Sequence, residues 1–202
     1  MRNFPPAIRA LAAALALGPI AHASGEAQER RAAFGAAPIA LQEARQILAA
    51  RVHGDGWWVA SNAPYADAPG ESESYSMRYR AVPGGQAITG CLWGETEGAV
   101  EGPFWYFYAA WDPVERAILV YQSSPGGAVG IGHQRPGPAG TGETVQTLEW
   151  PGQPAVRIRH TSVFPHPDTL VNRSFDEAPE GWRARRSYDW IWTPAAGRET
   201  PC

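Results

Sequence analysis

His160 stands in the run Val156, Ile158, His160, Ser162, Phe164. Alternate positions of an extended strand share a face, so this imidazole keeps mostly apolar company. Two readings are open. It is a polar group lining an interior cavity, placed to contact a ligand carbonyl or to bind haem iron, or it is a core histidine satisfied by a neighbouring hydroxyl or carbonyl. Arg186 falls on the same alternation as Trp182, Tyr188, Trp190 and Trp192, provided no bulge intervenes. A guanidinium stacked between rings, with its donors on a carbonyl, would close a barrel floor. The same group also suits a ligand carboxylate. Tyr79, Trp93 and Trp105 lie in aromatic-rich segments and are further candidates for a ligand-binding wall.

Other chemistry finds less support. His133, His166 and Asp168 have no helical i, i+4 spacing, and His166-Pro167-Asp168 reads as a turn, so no metal site is expected. There is no G-x-S-x-G elbow, no H-E-x-x-H and no phosphate loop. The glycine-rich stretch 126–132 lacks a following helix and reads as a turn with a flexible strand. Glu95, Glu97 and Glu101 gather near a turn as a solvated edge.

These side chains sit in a chain of 202 residues with 44% hydrophobic and 18% charged content, 9 Trp, 7 Tyr and 6 Phe, a composition of one folded domain with a sizeable core. Every basic residue is arginine, and the formal net charge is −3. Without basic clusters, a nucleic-acid partner is not expected. At the start, Arg2 and Arg9 precede an apolar run over 10–17, broken by Gly18-Pro19 and followed by Ala21-His22-Ala23. That pattern predicts a signal peptide over 1–23, cleaved near Ala23, and a periplasmic or secreted protein. No later run is long and apolar enough for a transmembrane helix. Cys91 and Cys202 are the two cysteines, and in an oxidising compartment they are expected to form a disulfide.

The elements that must position the candidates follow from periodicity. Residues 24–37 read as a flexible arm. Pro38 suits a first helical position, Leu41, Ala44, Leu48 and Val52 share a face, and Gly54 can stop the helix, which predicts one over 38–53. From residue 54 to 193 the period changes to two. About ten short apolar or alternating segments follow, each bounded by Gly, Pro or Asp, with no helix between them. This predicts an all-β, up-and-down antiparallel meander of about 8–10 strands that closes into a barrel, and a tail over 194–202.

The order Gly56-Trp57-Trp58, Gly84-Gly85, Trp111-Asp112-Pro113, His160-Thr161, Gly181-Trp182 and Tyr188-Asp189-Trp190 resembles the lipocalin or calycin superfamily, in particular exported bacterial domains of unassigned function. The resemblance implies a G-x-W tryptophan, Trp58, at the barrel base beneath an arginine of the final strand, Arg186. The resemblance lends the fold and not a ligand; together with the aromatic strands that fold suggests an interior that holds a small, largely apolar ligand, with His160, Tyr79, Trp93, Trp105 and Arg186 as the candidate residues around it. No cofactor is expected; haem held by His160, as in nitrobindin-like barrels, is the variant. The alternatives are a solid-cored barrel that engages another exported protein through its loops, and an enzyme using His160.

Overall fold

The computed structural model describes residues 38–68, 70–137 and 140–195. The expected signal peptide and arm, and the tail from residue 196 with Cys202, lie outside the described residues. The single helix among them, α1 (Leu41–Val52), begins three residues after Pro38. Ala40 is extended, and the Ile39 N–H donates to Arg116 O at 2.9 Å, so this entry segment is tied to the barrel rather than wound into the helix. At the far end His53 adopts a left-handed conformation and its N–H closes on Ala49 O.

Ten strands follow, as the alternation predicts: β1 (Gly56–Ser61), β2 (Ser74–Ala81), β3 (Ala87–Thr96), β4 (Ala99–Asp112) and β5 (Ala117–Ser123), then β6 (Val129–Pro136), β7 (Gly142–Glu149), β8 (Val156–His166), β9 (Thr169–Ala178) and β10 (Gly181–Pro194). Each pairs antiparallel with its neighbours in sequence, and β10 returns to β1 through Trp58↔Trp192 and Val59↔Ile191, closing the barrel. Closure leaves no sheet edge exposed. Short turns fix the registers. Between β3 and β4, Glu97 and Gly98 both have positive φ, as a two-residue hairpin of the primed type requires.

α1 stoppers one end of the barrel. Ala44 and Leu48, with Ile39, pack on Ile88, Ala109 and Ile118. A second cluster fills the adjoining interior with Trp58, Ala60, Met77, Leu170 and Trp190. Gly56 of the G-x-W motif is required by this packing: a Cβ there would stand 2.5 Å from Trp192 Cζ2 and run into Thr193 O. A third cluster, Trp57, Cys91 and Trp93 with Val59 and Ala195, lies on the outer face. Trp93 is therefore corrected as an interior residue. The inner positions of β3 are Ile88, Gly90 and Leu92, opposite Met77 and Tyr79, and Trp93 takes the other parity, its ring edge-on to Trp57 at 6.1 Å.

Candidate ligand-binding cavity

Between the helix-stoppered end and the opposite mouth lies a cavity of about 480 Å³. The solid interior of the alternative reading is thereby corrected. The strands hollow the barrel because their inner faces carry unequal bulk. Gly130 and Gly132 face inward from β6, and a Cβ on Gly132 would stand 2.6 Å from Gln146 Cβ, so the bare glycine lets Gln146 of β7 lean over it. Apolar side chains line it from several strands: Leu92, Phe107, Val120, Leu148 and Ile158. Neutral polar groups from β6 to β9 stand among them, Gln134, Thr144, Gln146, His160, Ser162 and Asn172, with Gln146 next to Leu148 along β7 and His160 next to Ile158 along β8. A hollow of several hundred Å³ that combines apolar surface with placed polar groups is the general make-up of a small-molecule site.

His160 lines this cavity. Gln146 Nε2 lies 3.0 Å from His160 Nε2 and donates to it, which leaves the ring proton on Nδ1. Burial, followed by the charges of Arg185 and Arg51, pushes its pKa down to about 4, so the ring is neutral at physiological pH. Gln146 Oε1 is buried without a hydrogen-bond partner among the described residues, an acceptor placed for a ligand donor. A haem iron would need a ring nitrogen free toward the cavity. His160 Nε2 is already engaged, so the residues as they stand do not fit that group.

Arg186 also lines the cavity, but not beneath Trp58. Trp58 pairs with Trp192 near the helix, and Arg186 lies six residues earlier on β10, roughly 20 Å away at strand rise. The arginine that Trp58 meets is Arg51 of α1, whose carbonyl accepts from the indole Nε1 at 2.8 Å. Arg186 instead holds the mouth. Its Nη1 and Nη2 donate to the two oxygens of Glu71 at 2.9 and 2.6 Å, and its guanidinium lies over Tyr65 at 5.0 Å. Tyr75 donates to the same carboxylate at 2.7 Å, and Tyr188 donates to Asn62 Oδ1 at 2.9 Å. The loop over 62–73 is thereby fastened to β2 and β10. The Arg186 hydrogen bond, opposed by burial and aided by Tyr75 and Asn62, holds the Glu71 carboxyl down at about 2. Burial and then Glu71 push the Tyr75 hydroxyl up to about 12.

A bulge between Ala184 and Arg186 explains a further difference. It reverses the alternation of β10, so Trp182 points outward and lies under Arg157 and Arg159, while Arg185 joins the cavity rim. Tyr79 and Trp105 line the cavity. His133 pairs with Asp112 at 3.0 Å. Among the described residues no group of three or more His, Cys, Asp or Glu comes together. Arg51, Glu71, Gln134 and Gln146 were not legible as site residues. Arg51 falls outside the helix's apolar repeat, Glu71 lies in a loop without a motif, and the glutamines depend on which strand parity faces in.

No family model matches the chain, and no curated protein matches it.

Proposed function

We propose that this protein is an exported, lipocalin-like barrel that takes a small, largely apolar molecule into its interior. The cavity of about 480 Å³, lined by aliphatic and aromatic side chains with neutral hydrogen-bonding groups set among them, carries this reading. The leader-like first 23 residues support export. Oxidation in that compartment would join Cys91, buried beside Trp57 and Trp93, to Cys202. In this reading His160 and Gln146 orient the ligand, Tyr79 and Trp105 contact it, and the Glu71–Arg186 pair keeps the mouth in shape.

The test is native mass spectrometry, with an absorption spectrum, on mature protein from an export-competent host. A reproducible added mass that is lost on denaturation is expected. A bare mass, together with no uptake of an apolar fluorescent probe, would overturn the reading. A Soret band would point to haem instead. Thiol labelling of the non-reduced protein should detect neither cysteine.

A further inference from the structure

The helix that stoppers the barrel also delivers a charge into it. Arg51 stands in the last turn of α1, its carbonyl held by the Trp58 indole at 2.8 Å. Its Nη2 donates to Gln134 Oε1 at 3.2 Å and lies 3.4 Å from Ser162 Oγ, and the Tyr79 hydroxyl is a further neighbour. All of these partners are neutral. Among the described residues no carboxylate pairs with Arg51.

The other charges around the cavity are accounted for. Glu71 is held by both nitrogens of Arg186, and Arg185 faces Asp176 at 3.7 Å. The ionised side chains that line the cavity are thus three arginines against one glutamate, in a chain whose formal net charge is −3. The interior is positive where the molecule as a whole is negative. A partly buried guanidinium that faces only neutral groups lacks a counter-charge, and an anion with two acceptor oxygens matches its donor fork.

We propose that Arg51 is the seat for the anionic head of an organic acid, of the carboxylate or sulfonate class. The Arg51 guanidinium donates to the head, with Tyr79 and Ser162 beside it, and the apolar remainder lies along Leu92, Phe107 and Ile158. This names the ligand class of the cavity and rests on the interior-binding reading above.

Two naphthyl probes that differ in one group test it: 1-anilinonaphthalene-8-sulfonate and N-phenyl-1-naphthylamine, which lacks the sulfonate. The wild-type protein should bind the sulfonate more tightly than the neutral probe. Arg51→Gln should weaken sulfonate binding by about ten-fold or more, as expected for loss of a charge-assisted contact, and change the neutral probe by less than about two-fold. Arg183→Gln removes the same charge from an exposed side chain outside the cavity lining and should change neither. Equal weakening by the two variants, or no effect of Arg51→Gln, would overturn the seat while leaving interior binding intact. If Arg51→Gln does not fold, the wild-type protein decides: neutral probe bound as tightly as the sulfonate overturns the proposal. Binding of neither probe would overturn interior binding and the seat together.

Discussion

A histidine held neutral inside a barrel taxes the folded state as the solution turns acid. His160 keeps its proton off until about pH 4 when folded, against 6.5 when free. Between these values the unfolded chain binds the extra proton, so stability is present above about pH 6.5 and drains away as pH falls toward 4. The full shift corresponds to at most about 3 kcal/mol. Denaturant unfolding at pH 7 and pH 4.5 should show the wild type losing about 2 kcal/mol more than His160→Gln. Parallel losses would mean that the imidazole is not buried neutral. Glu71 drops out at lower pH, because its carboxylate contribution is present above 4.5 and lost as pH falls toward 2. At this scale the inward placement of His160 was legible from its apolar companions on β8. Its partner was not, because Gln146 meets it through the β7–β8 register, which no local spacing encodes.

At the scale of elements, the ten strands were readable because each alternating run ends on Gly, Pro or Asp, and turn chemistry of that kind is local. Their inner and outer faces were less readable. The bulge in β10 turns Trp182 outward and Arg185 inward, and an extra residue in one strand leaves no mark in composition. Trp93 failed for a related reason, since both parities of β3 carry apolar side chains and only the pairing with Met77 and Tyr79 selects one. The glycine-rich stretch reads as a turn with a flexible strand, but nothing in it says that Gly130 and Gly132 face inward, where their missing side chains make room for Leu148 and Gln146. Gly132→Ala places a methyl 2.6 Å from Gln146 Cβ and against the Val145 carbonyl. It should lower the unfolding free energy by about 1–3 kcal/mol, read from the shift in denaturant midpoint at constant slope. An unchanged midpoint would mean that β6 and β7 have slack that this packing does not show.

For the molecule as a whole, up-and-down connectivity makes each strand a neighbour of the next, and closure through β1 and β10 turns one face of every strand into a single interior. The helix then stoppers one end, and the Glu71–Arg186 pair braces the loop at the other. The barrel was legible from the sequence; its hollowness was not, because an aromatic packed core and an aromatic binding wall have the same alternation. Whether that hollow takes up a ligand is the central question, and methyl-resolved NMR during titration with N-phenyl-1-naphthylamine answers it most directly. The inward methyls of Leu92, Val120, Leu148 and Ile158 should shift together and saturate, while Ile131 and Ile191, each about half exposed on the outer face, stay still. Shifts confined to Ile131 and Ile191, or none at saturating probe, would contradict an interior site.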